Sequence, residues 1–130
     1  MSTWSVAKLA ERFNPFVSTV WLGLKGPITR KEVLSAVEES RLLKTPSSEW
    51  SANPVVWNRT QHAERVAWFV VHSWDDAIEI DVGIESLGCY VDWWVLDGNH
   101  RLAAAIFRGD ESILVSPSGD MAVFEEFEVR

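Results

Sequence analysis

Val95-Leu96-Asp97-Gly98-Asn99-His100-Arg101-Leu102-Ala103-Ala104-Ala105 is the stretch on which the reading of this chain turns. A run dense in aromatic and β-branched residues, Tyr90 to Leu96, predicts a strand. Gly98 predicts a sharp turn, and His100 to Arg108 a short Ala-rich helix that stops at Gly109. The polar residues therefore fall on the first turn of a helix, where backbone N–H groups lack partners and the dipole attracts anions. Gly98 would let a phosphate approach the backbone, and Arg101 would add a forked, charge-assisted contact. His100 offers a further donor, or a base near neutral pH. Asp97 and Arg101 bracket the turn. The bland reading is a capping ion pair at an ordinary helix start, and spacing alone leaves both open.

Outward from this stretch, Asn58 or Thr60 can cap a helix running to about Ser73, with Ala63, Val66, Ala67, Val70 and Val71 on its buried side. Ala77 to Val82 alternates as a strand, and Ser112 to Ser116 predicts another that ends in Pro117-Ser118-Gly119. Met121 to Val129 suits an edge strand or a helix. Upstream, Val6, Leu9, Ala10 and Phe13 stand at helical spacing before Asn14-Pro15, and Phe16 to Leu24 reads as strand or extended chain. Thr29 to Glu32 forms a capping box for a helix faced by Val33, Leu34 and Val37. The Ser, Pro and Asn content of 44–54 marks the longest loop. These elements predict a mixed α/β (α+β) domain, its sheet flanked by helices.

Composition narrows the classes. At 130 residues one domain is expected, and no apolar run exceeds six residues, which argues against a membrane-spanning helix. The start of the chain lacks the pattern of a secretory signal, so a cytoplasmic protein is expected. Twelve Lys and Arg against nineteen Asp and Glu leave a net charge of -7, which argues against direct binding to bulk DNA or RNA. A local basic site could still hold one nucleotide. The single Cys89 cannot form an internal disulfide and reads as a small buried residue near a strand. Eight Trp residues are most simply core.

The box Asp97-Gly98-Asn99-His100-Arg101, followed by Ala104 or Ala105, a short helix and a strand, resembles the ParB/sulfiredoxin superfamily, whose members carry a Gly-x-x-Arg box at this place. The likeness extends to the helix at 60–73 and to Asp76-Ala77-Ile78-Glu79-Ile80-Asp81-Val82, which is similar to the family's Pro-Ile-x-Val strand with Ala77 in place of the Pro. It covers about residues 58–117 and leaves 1–57 as an N-terminal helical extension. The resemblance implies that Gly98, Asn99, His100 and Arg101 hold the phosphates of ATP or another nucleoside di- or triphosphate, usually with Mg²⁺. It also implies Asp97 and His100 as candidate catalytic groups for phosphoryl transfer or hydrolysis. Asn99 occupies the place of the sulfiredoxin cysteine, so thiol chemistry is not expected. The helix-turn-helix that follows the nucleotide fold in chromosome-partition proteins is not expected either.

Other residues have two readings each. Glu79 and Asp81 share a strand face and either reach a phosphate-bound metal or are solvated. Arg59, His62 and Arg65 open a helix; Arg59 or His62 contacts a phosphate or base, or all three make ordinary surface ion pairs. Trp93 and Trp94 should face opposite sides of a strand, one in the core and one free to stack on a base. The alternative to a nucleotide-binding protein is a plasmid- or phage-type interaction module that binds a partner protein, with a ParB-like nuclease as a third reading.

Overall fold

The computed structural model describes residues 1–21, 24–44 and 57–129. Its elements are β1 (Ser2–Ser5), α1 (Val6–Arg12), α2 (Arg30–Glu38), α3 (Arg59–His72), β2 (Ile78–Asp81), β3 (Val95–Asp97), α4 (Asn99–Arg108), β4 (Ser112–Ser118) and α5 (Met121–Phe124), with a 3₁₀ turn at Glu85–Leu87. The sheet order is β1-β4-β2-β3. β1 and β3 pair antiparallel with β4 and β2 respectively, while β2 and β4 run parallel. The crossover between the parallel pair contains β3 and α4, so the helix of the Asp97–Arg101 stretch is built into the sheet's own connection. The architecture is a mixed α/β domain.

The caps follow the sequence. Thr29 and Glu32 form the expected box at α2, and Asn58, rather than Thr60, caps α3 with Gln61 reciprocating. Asn14 ends the first helical segment in a turn, its side chain accepting from the Phe16 N–H.

Helix α4 explains its own composition. Leu102, Ala105 and Ile106 pack with Ile78, Ile80, Val115 and Leu9 in the cluster beneath the sheet. Ala103 and Ala104 join Val33, Ala36, Ala63, Val66 and Ala67 in a cluster made by α2 and α3. A helix pressed on both sides has room only for small side chains, and all three alanines are fully buried.

Several expectations give way. β3 covers only Val95–Asp97; the chain from Tyr90 to Trp94 is loop, because Ile84 pairs with Cys89 across the 3₁₀ turn and diverts it. Cys89 is therefore exposed, not buried. Phe16 to Leu24 forms no strand among its described residues: turns occupy it, and Trp21 alone is fully tucked in. Val71 faces solvent at the end of α3. β1 is a strand that the sequence reading missed. β4 runs on through Pro117 to Ser118, tolerable because β1 stops pairing at Val115 and leaves β4 one neighbour there. The tail is a short helix, after which Glu128 bridges to Trp4. The loop expected at 44–54 lies, beyond Lys44, outside the described residues.

Candidate functional site

Gly98 turns the chain from β3 into α4 with φ +118°, a left-handed value that side-chain-bearing residues rarely adopt. A Cβ there would lie 2.4 Å from Ile78 Cγ2, so the glycine is demanded by packing of the turn against β2. No side chain caps α4. Its amino end opens onto a pocket of about 500 Å³, the size of a small-molecule site.

Gly98, His100 and Arg101 form one wall of this pocket, with Asp97 and Glu79 beside them; Arg65 and Phe69 of α3 form another, and Trp74, Asp76 and Ala77 close the end. Arg101 is held tightly. Its Nη1 donates to the carbonyls of Asp76 (3.1 Å) and Ala77 (3.3 Å), and Nη2 reaches Asp97 Oδ2 at 3.3 Å. Only 12% of its side chain is exposed, against 72% for Asp97. Arg101 thus has a structural duty, bracing the α3–β2 link, alongside the charge it presents.

Arg65 is the second cation. Its Nη1 donates to the Leu43 carbonyl, and its guanidinium lies 4.4 Å from the centre of the Phe69 ring. Burial pushes its pKa down, and the nearby positive charge of Arg101 pushes it further.

His100 stands differently from its sequence reading. Its Nε2 lies 2.9 Å from Nδ1 of His62, with the rings stacked 16° from parallel. Trp21 and Trp57 each lie within ring-contact distance of both imidazoles. Burial, then His62, then Arg65 and Arg101 hold the His100 pKa well below 6.5. The imidazole is neutral at pH 7 and brings no positive charge to a phosphate. His62, expected on the surface, is buried. The stacked pair orients the first turn of α4 from behind.

Asn99 Oδ1 accepts from Trp93 Nε1 at 2.8 Å, so its side chain is committed to the protein. Trp93 and Trp94 lie before β3 and pack around Phe13; neither lines the pocket, whose aromatic wall is Phe69 and Trp74. Glu79 lines the pocket and is the cross-strand neighbour of Asp97. Asp81 instead accepts from the Gly83 N–H. Arg59 pairs with Glu32 and the Pro27 carbonyl, away from the site.

Neither a family model, nor a curated protein, nor a solved structure matches this chain.

The structure thus brings Asp97, Gly98, His100, Arg101 and Glu79 to one cavity and adds Arg65, Phe69, Trp74 and Asp76. A signal for part of this addition was present. His62, Arg65 and Phe69 stand at i, i+3 and i+7, one helical face. That Asp76 and Trp74 close the same cavity depends on the α3–β2 turn, which has no spacing signature.

Proposed function

We infer that the pocket binds the phosphates of a nucleoside di- or triphosphate, in keeping with the resemblance of its Asp97–Arg101 box to the ParB/sulfiredoxin superfamily. The observation that carries this reading is the pair of guanidinium groups, Arg65 and Arg101, that face one cavity and repel each other beside the uncapped amino end of α4. Two like charges held together are relieved by an anion, and the open helix amides supply oriented donors for its oxygens.

Glu79 and Asp97 bear on the metal question. As cross-strand neighbours they place two carboxylates at the same cavity. Among the described residues no cluster of three or more His, Cys, Asp or Glu could cage an ion. Two carboxylates suit Mg²⁺ that arrives with phosphate oxygens and water in its shell. Such an ion would neutralise phosphate charge, while Arg65, Arg101 and the helix amides orient the phosphates. If the bound nucleotide turns over, the reaction class is phosphoryl transfer or hydrolysis, and Asp97, exposed at the pocket, is the candidate base. His100 then shapes the site rather than exchanging protons.

The test is calorimetric titration of pyrophosphate and nucleotides into wild type and Arg65→Gln. A lost charged hydrogen bond is worth about 1.5–3 kcal/mol, or roughly ten- to a hundred-fold in affinity. The variant should lose that much affinity, and its unliganded melt is read beside it, because the change removes the repulsion with Arg101 but also the Leu43 hydrogen bond and the Phe69 contact. No binding of any of these ligands at millimolar concentration would overturn the reading.

One observation favours an interaction module instead. Leu87, Tyr90 and Leu96 are exposed on the edge strand β3 and the loop leading into it. Unpaired edges and exposed apolar side chains are what partner proteins cover.

A further inference from the structure

We propose that the free edge of the sheet, the returning arm of the hairpin 78–97, docks an extended, Lys- or Arg-rich peptide segment of a partner protein. This rests on the interaction reading of that edge and names its partner; the phosphate pocket plays no part in it.

The two edges of the sheet are finished differently. The outer side of β1 is closed by the chain's own tail: the Ser5 N–H donates to the Phe127 carbonyl (2.7 Å), the Val129 N–H to the Thr3 carbonyl (2.8 Å), and Trp4 bridges to Glu128. β3 pairs with β2 alone. Ile84 and Cys89 exchange both backbone hydrogen bonds (2.8 and 3.0 Å), and the Asp81 N–H donates to the Trp94 carbonyl. Residues 78–97 are therefore one long hairpin, and its returning arm lies on the open side. That arm is held from beneath, where Trp94 stacks on Phe13 at 4.6 Å and Trp93 donates to Asn99. Apolar side chains stand out from it: Leu87 is 73% exposed, Tyr90 72% and Leu96 61%. Leu96 is the extra residue of a bulge, since Val95 and Asp97 face the consecutive Ile80 and Glu79. A preformed edge of this kind accepts an added strand, which main-chain hydrogen bonds hold and side-chain contacts select.

Charge selects the occupant. Between Arg65 and Arg101 the sequence holds seven Asp and Glu and no Lys or Arg. The rest of the chain has twelve of each sign, so the whole net charge of -7 belongs to the stretch that contains the hairpin. Glu85 and Asp92 are exposed on it, and neither enters an ion pair among the described residues. Lys, which commonly guards a free edge against further pairing, is missing here. A second copy of this chain would set the same carboxylates against each other, and nucleic acid or an anionic membrane would be repelled. A segment that carries apolar side chains among Lys or Arg meets both features, covering Tyr90 and Leu96 while its cations reach Glu85 and Asp92.

Selection of a random decapeptide display library on the wild type, with a Tyr90→Ser, Leu96→Lys double variant as counter-target, tests this. Both side chains are exposed, so the double variant should keep the wild-type melt. Enriched peptides should intersperse Lys or Arg with apolar residues and have no Pro in their middle. In fluorescence anisotropy the best of them should lose about ten-fold or more in affinity toward the double variant, and as much toward a Glu85→Lys, Asp92→Lys variant. Added salt should weaken binding, and methylation of alternate backbone nitrogens of the peptide should abolish it. Enriched peptides that are acidic or uncharged, or that bind the Glu85→Lys, Asp92→Lys variant as well as wild type, would overturn the basic partner alone. Undiminished binding of the N-methylated peptide would overturn strand addition. No enrichment over the counter-target would overturn the interaction reading and this proposal with it, and a wild-type dimer in sedimentation that Leu96→Lys abolishes would give the edge to a second copy instead.

Discussion

Lowering the pH from 7.5 to 5.0 should destabilise the protein well before its carboxylates titrate, and the cause is the stacked His62–His100 pair. In the fold, burial and the charges of Arg65 and Arg101 hold the His100 pKa well below its ordinary 6.5; in the unfolded chain it returns to that value. A depressed histidine pKa means that the folded state binds fewer protons than the unfolded one. Stability is then constant above pH 6.5 and falls as the pH drops below it, until the folded pKa is reached. Each pH unit in that window costs about 1.4 kcal/mol per proton. Accumulated down to the folded pKa, the loss is a sizeable share of the roughly 5–15 kcal/mol of an ordinary domain. Trp21 and Trp57 would favour an imidazolium by cation–π attraction, but this is worth about 0.5–2 kcal/mol and is opposed by two guanidinium groups and the loss of water. Urea unfolding followed by tryptophan fluorescence at half-unit pH steps measures the slope. His100→Gln keeps a hydrogen-bonding group beside His62 Nδ1 and cannot titrate, so its slope below pH 6.5 should be flatter, by about 1.4 kcal/mol per unit wherever the pH lies between the unfolded and folded values of His100. A flat wild-type profile, or equal slopes in the two proteins, would refute the argument.

Gly98→Ala should cost at least 1–3 kcal/mol from the left-handed backbone alone, with the overlap on Ile78 added, and a urea melt should show it irrespective of ligand. Arg101→Ala should lower stability by about 1–3 kcal/mol, because the Asp76 and Ala77 carbonyls lose their donor; an unchanged melt would mean that the guanidinium serves only a ligand. Ala104→Leu should overpack the contact of α4 with α2 and α3 and cost about 1–3 kcal/mol, read by the same melts.

The parts of the fold legible in the sequence are those governed by local chemistry. The Thr29–Glu32 box, the Asn58 cap and the helix stop at Gly109 depend on residues three or four apart, and the structure has all three. β1 escaped notice because four residues that pair with a strand more than a hundred positions away carry no local period. The strand expected from Tyr90 was too long, since aromatic density also arises where a loop packs Trp93 and Trp94 around Phe13. The candidate site was half legible. The box residues announce a strand–turn–helix, but their side chains turn out to be partly spoken for: Asn99 by Trp93, Arg101 by two carbonyls, His100 by His62. The remainder of the cavity wall, Arg65, Phe69, Trp74 and Asp76, is brought there only by the tertiary fold.

The pairing of β1 with β4 sets a timetable for biosynthesis. Trp4 ends fully buried, against Phe124 and Phe127, and its strand has no partner until Val115 has been made. At about 5–20 residues per second a ribosome needs roughly 6–22 s to cover that interval. For that time the segment made first is the one that must wait, an indole and an open strand edge without a mate. Pairing of β1 can only follow the synthesis of β4, which sets its closure among the late steps of folding.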